Sequence, residues 1–255
     1  MYPNLFGIEG LTMSLLVAIG FALASVLIFI YLKKKSEVKV DYIALLIVIL
    51  VTAISGLIFA VCFENIYEAI KNAVEGKEQS WTWSATWYGG LLGGVLAFLL
   101  MYYLYYRHKN DDVLDEILRI TPAAICLGHG IGRLGCFFNG CCYGIETDAW
   151  YGVLFPGHTH KVIPTQLFEM AFLLILATIL IVVAFKKKWN YSIIVYLYSY
   201  AIFRFLIEFI RGDERGELPG LSPSQYWCIV LVIIATALIF VLKKVLFKKE
   251  NKNEI

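Results

Sequence analysis

The stretch HGIGRLGCFFNGCCYG, residues 129–144, holds the densest set of reactive and small side chains in an otherwise apolar chain. It carries one arginine, one asparagine, three cysteines and five glycines at the end of a membrane-compatible segment. An arginine near lipid is costly unless it meets a phosphate, a carboxylate or water, so Arg133 is a candidate functional residue. Glycines let helices or a ligand approach the backbone closely. The stretch therefore predicts closely packed helices beside a polar site.

Composition places the rest of the chain in a membrane as well. The 255 residues are 60% hydrophobic and only 16% charged, and the mean hydropathy is +0.72. Soluble domains are much more polar, so we expect an all-α integral membrane protein. The formal charge of +2 gives no reason to expect a nucleic-acid partner. Since no repeat or composition shift divides the chain, residues 1–255 are expected to form a single polytopic transmembrane domain.

Apolar runs of about 20 residues match the hydrocarbon core of a bilayer. Seven such runs predict seven transmembrane helices, at 11–32, 41–63, 88–106, from the acidic turn 111–116 to about 138, 166–185, 191–210 and 225–242. The amphipathic segment 64–76 is expected to be a short interfacial helix or loop outside the second span.

Basic residues set the expected orientation. Lysines and arginines cluster at 33–35, 107–109, 186–188 and 243–252, which all fall on one side of the seven spans. Cytoplasmic loops are enriched in lysine and arginine, so this side is expected to be cytoplasmic. The amino terminus is then outside and the carboxyl terminus inside. The stretch that ends at Gly144 would lie at the outer face.

Three charged residues are expected near one face of the sixth helix, toward its outer end. Arg204, Glu208 and Arg211 are spaced by four and three residues. One interpretation is a structural ion pair, because isolated charges are costly in lipid. The other is a site for an anionic lipid head group, which Arg133 would join from the fourth span, since guanidinium groups suit phosphate.

Five groups of residues then carry a resemblance to a known family. They are Gly132, Arg133, Gly135, Phe137, Asn139 and Gly144; 164–169 (PTQLFE); Tyr200, Arg204, Phe205, Glu208, Phe209 and Arg211; Ser222 and Gln225; and Tyr88, Gly89, Gly90, Leu91 and Gly93. Taken in their order along the chain, they resemble motifs of the bacterial prolipoprotein diacylglyceryl transferase family. Three positions depart from the family pattern. Cys136 replaces the usual asparagine, Cys141 replaces the usual glutamate and Tyr88 replaces the usual histidine.

The resemblance implies a function. A family member would transfer the diacylglyceryl group of phosphatidylglycerol to the lipobox cysteine of a preprolipoprotein, releasing glycerol phosphate at the outer face of the bacterial cytoplasmic membrane. Residues expected to act in catalysis are Arg133, Asn139, Arg204, Glu208, Tyr88, His129, Cys136 and Cys141. Residues expected to bind substrate are Arg133, Gly144, Gln166, Glu169, Tyr200, Arg204, Arg211 and Gln225. Glu208 and His129 are the candidates for the base.

Other readings stay open. Gln166 and Glu169 lie at a helix start, where they would suit capping as well as substrate binding. A divergent member of this fold could act as a membrane thiol redox protein, or bind or translocate lipid without the transfer reaction.

The six cysteines divide into two sets. Cys62, Cys126 and Cys228 lie within apolar spans, as small buried residues do. Cys136, Cys141 and Cys142 lie at the outer end and could form a disulfide, such as Cys136 to Cys141, or act as a thiolate beside Arg133. A zinc site that also used His129, His158 or His160 would not match a common ligand spacing, so no metal and no cofactor is predicted.

Overall fold

The computed structural model describes residues 4–5, 8–78, 81–82, 86–187, 189–213 and 220–253. The helices are α1 (Leu11–Lys35), α2 (Tyr42–Glu75), α3 (Trp87–Met101), α4 (Arg107–Lys109), α5 (Leu114–Asn139), α6 (Thr165–Lys186), α7 (Ser192–Ile207) and α8 (Pro223–Asn253). A π-helical turn, Tyr102–Tyr106, joins α3 to α4, and a 3₁₀ turn, Glu208–Ile210, follows α7. A short antiparallel hairpin, β1 (Asn4–Leu5) and β2 (Ile8–Glu9), precedes α1.

Six described helical segments are long and apolar enough to cross a membrane. They are Leu11–Lys35, Tyr42–Ala73, Gly89–Tyr106, Thr165–Lys186, Ser192–Ile210 and Pro223–Lys243. Helix α5 is 26 residues long, but it carries Asp115 and Glu116 in its first turn and also contains Arg119 and Arg133. The described part of the chain is therefore a multi-pass helical membrane protein, as its composition predicts.

Helix α2 is longer than the sequence predicts. Residues 64–76 were expected to be a separate interfacial helix or loop, but α2 continues without a break to Glu75. Residues 64–75 contain neither glycine nor proline, so nothing interrupts the helix. Gly76 ends it in the left-handed conformation at φ 68°, which glycine adopts readily. Helix α8 likewise continues past residue 242 into the lysine-rich tail.

The described helices group into two compact units, one of residues 1–35 and 114–255 and one of residues 36–113. In the first unit α1 packs along α5, α5 along α6, and α7 along α8. The crossing of α1 and α5 is close because two glycines meet there. A Cβ atom on Gly20 would lie 2.7 Å from the carbonyl oxygen of Gly128, so any larger residue would push the helices apart.

The second unit pairs α2 with α3. Gly89 and Gly93 of α3 face the rings of Phe63 and Phe59, and their missing side chains make room for those rings. This explains the glycine run of α3 by packing.

The loop that joins α5 to α6 is folded back on itself. The amide of Gly144 donates to the carbonyl of Ile163 (2.8 Å), and the amide of Ile145 donates to the carbonyl of Ile210 (2.9 Å). Val153 and Val162 form a further antiparallel pair. These bonds tie the end of α5, the start of α6 and the end of α7 together, which positions the residues described next.

Candidate functional site

Glu169, in the first turns of α6, is the centre of a buried polar cluster. Its side chain is 1% exposed, and its Oε1 atom lies 2.9 Å from Nη2 of Arg133. The hydroxyl of Tyr200, from α7, donates to the same oxygen at 3.0 Å. Nε2 of His129 lies 3.7 Å away. Side chains from three helices thus meet at one carboxylate. Their donors compensate its negative charge, which would otherwise be costly to bury.

Arg133 keeps hydrogen-bonding capacity beyond this ion pair. Its Nε atom is buried and has no hydrogen-bond partner among the described residues. A Cβ atom placed on the neighbouring Gly132 would have no described atom within 4 Å. A buried donor without a partner is costly, so Arg133 is suited to receive an oxygen-rich ligand.

A second buried cluster forms around Glu208. Nη1 of Arg204 lies 2.6 Å from Oε2 of Glu208, and the hydroxyl of Ser222 donates to Oε1 at 2.8 Å. Nη2 of Arg204 donates to the hydroxyl of Ser224 at 3.0 Å. Arg204, Glu208 and Arg211 lie together, with Nε of Arg211 4.0 Å from Oε2 of Glu208. They do not share one continuous helix as expected, because α7 ends at Ile207, Glu208 lies in the 3₁₀ turn and Arg211 is extended.

Arg211 has a closer partner that the sequence did not predict. Its Nε and Nη2 atoms donate to the two carboxylate oxygens of Asp213 at 2.8 and 2.7 Å. Burial lowers the pKa of Arg211, but the hydrogen bonds and charge of Asp213 outweigh burial and raise that pKa above its ordinary value. Only the short spacing of Arg211 and Asp213 could have pointed to this pair.

The charges of the two clusters interact. Arg204, which is paired with Glu208, also acts electrostatically on Glu169. The loop after α5 is anchored to the start of α6, because Nε2 of Gln166 donates to the carbonyl of Cys141 at 2.6 Å. The hydroxyl of Thr165 donates to the carbonyl of Cys142 at 2.7 Å. Gln166 therefore holds the loop, while Glu169 faces the arginine.

Gln225 and Gly144 have packing roles in the structure. The amide of Ser222 donates to Oε1 of Gln225 at 3.1 Å, which caps the start of α8. A Cβ atom on Gly144 would lie 2.6 Å from the carbonyl oxygen of Ile210. Gly144 thus allows the loop to lie directly against the end of α7.

Cys136, Cys141 and Cys142 form a compact group of thiols. Their sulfur atoms all lie within 4.8 Å of one another. None of the six cysteines, all of which lie in the described part of the chain, forms a disulfide in this structure, the option of a Cys136–Cys141 disulfide included. Cys126 and Cys228 are buried as expected, whereas Cys62 is exposed, because its position in α2 lies on an outward face.

The two loop thiols differ in pKa. Hydrogen bonds from the thiols of Cys136 and Cys141 lower the pKa of Cys142, against the opposing effect of its burial. Its hydrogen bond with Cys136 lowers the pKa of Cys141, but the hydrogen bond with Cys142 and burial raise it more. The arrangement favours negative charge on Cys142.

Two predicted catalytic residues lie apart from these clusters or outside what can be described. Asn139 is exposed at the end of α5, outside the two arginine–carboxylate clusters, but its side chain interacts with the thiol of Cys141. The side chain of Tyr88 lies outside the described residues, so its expected role stays a prediction. His158 packs edge-on against the ring of Tyr143, with ring centroids 4.4 Å apart.

Comparison with known proteins relates this chain to one family. The family model for prolipoprotein diacylglyceryl transferase matches residues 4–241. A phosphatidylglycerol–prolipoprotein diacylglyceryl transferase of Clostridium tetani is 35% identical over 153 residues, 57% of this chain and 59% of the relative. The second enzyme of this name in Clostridium perfringens is 33% identical over 142 residues, 53% of this chain and 55% of the relative. The chain thus spans little more than half the length of these curated relatives.

Proposed function

This chain belongs to the prolipoprotein diacylglyceryl transferase family, and from that premise we propose that it transfers the diacylglyceryl group of phosphatidylglycerol to a cysteine thiol. The acceptor is the lipobox cysteine of a preprolipoprotein, and glycerol phosphate is released. Relatives named for phosphatidylglycerol and prolipoprotein support both substrates.

The observation that carries the proposal is the pair of buried arginine–carboxylate contacts, Arg133 with Glu169 and Arg204 with Glu208. Each carboxylate keeps its arginine charged and oriented in an apolar environment before substrate arrives. The phosphate of the lipid then competes for guanidinium donors, including the unpaired Nε atom of Arg133. These donors stabilise the negative charge that develops on the departing phosphate.

The transfer also needs a base. The acceptor thiol loses its proton, its sulfur bonds to the glyceryl carbon, and the bond from that carbon to the phosphate oxygen breaks. The electron pair of that bond leaves with glycerol phosphate. Glu208 and His129 are the candidates for the base, because both lie in the two clusters beside an arginine. Tyr88, Asn139, Cys136 and Cys141 complete the proposed catalytic set.

Substrate binding is assigned to a broader set of residues. Arg133 and Arg204 would bind the phosphate, and Arg211 would supply a further positive charge. Tyr200 and Glu169 would orient Arg133, since Tyr200 and Arg133 share one oxygen of Glu169. Gly144, Gln166 and Gln225 would act by holding the loop and the start of α8 in place.

The membrane arrangement is part of the proposal. Helix α5 would be a seventh span between the six apolar ones, despite its polar side chains, because its charged residues can face the bundle interior. The basic loops would be cytoplasmic and the amino terminus external. Residues 1–255 would form one polytopic domain in the bacterial cytoplasmic membrane, with the site at the outer leaflet.

A direct assay tests the transfer. The purified protein is mixed with phosphatidylglycerol and a lipobox peptide, and mass spectrometry looks for a peptide that carries a diacylglyceryl group on cysteine. A peptide with serine in place of that cysteine is the matched control. Product with the cysteine peptide alone supports the proposal. Lipid binding without product in a well-folded protein overturns it in favour of a lipid-binding or translocating role, and a change in thiol count on oxidation without product favours a redox role.

A further inference from the structure

We propose that Cys136, Cys141 and Cys142 bind a thiophilic divalent cation of the zinc class, whose fourth coordination position takes the acceptor thiol. The first half of this inference stands on the geometry of the three cysteines. The second half rests on the proposed function.

The sulfur positions suit such an ion. Zinc binds thiolate at about 2.3 Å in tetrahedral geometry, which places ligand sulfurs about 3.8 Å apart. The three Sγ atoms lie within 4.8 Å of one another, so a rotation of the side chains brings them to that spacing. A disulfide joins two sulfurs and leaves the third without a role, whereas a metal ion uses all three.

The backbone brings these sulfurs together in a specific way. Gly140, at φ 71°, turns the chain back at the end of α5, and the amide of Cys141 donates to the carbonyl of Cys136 at 3.2 Å. Cys142 has φ 66° and is the sole described residue other than glycine with a positive φ. Residues other than glycine seldom adopt this conformation, and such residues cluster at functional sites.

The start of α6 holds this conformation in place. Gln166 and Thr165 donate to the carbonyls of Cys141 and Cys142. The loop is therefore anchored to a membrane helix before any ion binds. Such preorganisation is what a metal site requires of its supporting contacts.

The surrounding charges favour a metal–thiolate group. Three thiolates and one divalent cation carry a net charge of −1, by the formal charges of the ligands. Arg211 and Arg133 both act electrostatically on Cys142. Both arginines offset the negative charge, and both belong to the clusters assigned to the phosphate. The proposed ion would thus lie beside the phosphate of the bound lipid.

The site has an open position. Among the described residues the group offers three sulfurs, and no fourth ligand side chain joins it. Three protein ligands with a free fourth position are typical of catalytic zinc rather than structural zinc. An incoming thiol would bind there and release its proton to water or to Glu208, because a coordinated thiol is deprotonated.

The coordinated sulfur would then carry out the transfer. It uses a lone pair to bond to the glyceryl carbon, and the carbon–oxygen bond to phosphate breaks. The electron pair leaves with glycerol phosphate. The thioether product has no negative charge and binds the ion weakly, so it dissociates. The ion changes neither oxidation state nor protein ligands, and its role in the proposed transfer would be to activate the acceptor thiol.

Metal binding is tested without reference to activity. The full chain, purified in detergent under reducing conditions, is stripped with a chelator and titrated with Zn²⁺ and with Co²⁺. We expect about one ion per chain and the thiolate-to-cobalt absorption of a sulfur-rich site. Cys142→Ser should weaken binding by more than the roughly 10–100-fold that loss of a supporting contact costs. Cys62→Ser, at an exposed cysteine of α2, is the matched control and should bind normally.

Either of two results overturns the metal site. One is the absence of stoichiometric binding to the folded wild-type protein. The other is equal binding by Cys142→Ser and Cys62→Ser. If protein purified without reductant instead shows two fewer titratable thiols before reduction than after it, the cluster is a redox pair and the inference fails.

The open position is tested with the cobalt form. Addition of the lipobox peptide should change the cobalt spectrum toward four sulfur ligands, and the peptide with serine should not. An unchanged spectrum with both peptides overturns the open position. Full transfer activity in metal-free protein overturns the role of the ion while the proposed function stands. Binding of ion and peptide without product, in contrast, rejects the proposed function and leaves the metal site intact.

Discussion

Nη2 of Arg133 on α5 lies 2.9 Å from Oε1 of Glu169 on α6, and the glutamate side chain is 1% exposed. Each side chain therefore compensates the charge of the other inside the helix bundle. Loss of one partner from a buried pair leaves an uncompensated charge and costs about 3–5 kcal/mol. Stability and catalysis are consequently mixed in any single substitution of Arg133.

The first prediction separates the two effects with a double substitution. Arg133→Gln and Glu169→Gln should each lower the thermal midpoint. The combined variant should recover most of the loss, because no buried charge is left without a partner. Diacylglyceryl transfer should nevertheless be absent in the combined variant, because the guanidinium group of Arg133 is missing. The measurement is thermal unfolding in detergent beside the mass-spectrometric transfer assay. Wild-type turnover by the folded double variant would remove Arg133 from the mechanism.

The second prediction concerns Arg204, which contacts Glu208 and Ser224 with two different nitrogens. Lysine carries the charge on a single nitrogen, so Arg204→Lys cannot keep this fork geometry. We expect at least a tenfold loss of transfer, corresponding to about 1.4 kcal/mol of transition-state stabilisation. Initial rates over a range of phosphatidylglycerol concentrations measure it.

The control for that substitution lies on the same helix. Tyr198 shares a hydrogen bond with Thr236 at 2.7 Å on the exposed side of α7 and α8. Tyr198→Phe should leave the rate within about twofold of wild type, since exposed substitutions have small effects. Equal rates for Arg204→Lys and Tyr198→Phe would argue against phosphate binding by Arg204.

The third prediction contrasts two glycines of the opening stretch. Gly144→Ala would place a methyl group 2.6 Å from the carbonyl oxygen of Ile210 and 2.8 Å from Cβ of Ile163. Overpacking of this kind costs about 1–3 kcal/mol, so the thermal midpoint should fall. Gly132→Ala meets nothing described within 4 Å and should keep or raise the midpoint, because alanine favours a helix. Equal midpoints for the two variants would contradict the packing of the loop on α7.

Some of this site follows from the sequence because it depends on local spacing. Arg204 and Glu208 are four residues apart, so the end of α7 brings them together locally, whereas Arg211 reaches Glu208 from an extended position after the 3₁₀ turn. The helical membrane class follows from composition and run length.

Other features depend on contacts between distant segments. Glu169 lies at a helix start, where a capping role is equally consistent with the sequence. Its pairing with Arg133 arises because α5 and α6 pack side by side. The convergence of the three thiols depends on backbone conformations at Gly140 and Cys142. The spacing of cysteines and histidines in the sequence therefore does not reveal that these three thiols lie together.

The last prediction tests whether Tyr200 matters through its hydroxyl or its ring. The hydroxyl donates to Glu169 at 3.0 Å, and the ring stacks with that of Tyr196 at 5.9 Å between centroids. Phenylalanine keeps the ring and removes the hydrogen bond to a charged acceptor, which is worth about 1.5–3 kcal/mol. Tyr200→Phe should therefore lower the thermal midpoint and slow transfer, because Glu169 then holds Arg133 less firmly.

Tyr196→Phe is its matched control and should change both quantities less, since it preserves the stacked pair and leaves the bonds to Glu169 in place. Thermal unfolding and transfer rates are measured on both variants under identical conditions. If the two substitutions have equal effects, the aromatic packing of α7 matters rather than the Tyr200 hydroxyl. The orientation of Arg133 would then depend on Glu169 itself rather than on the bond from Tyr200 to that carboxylate.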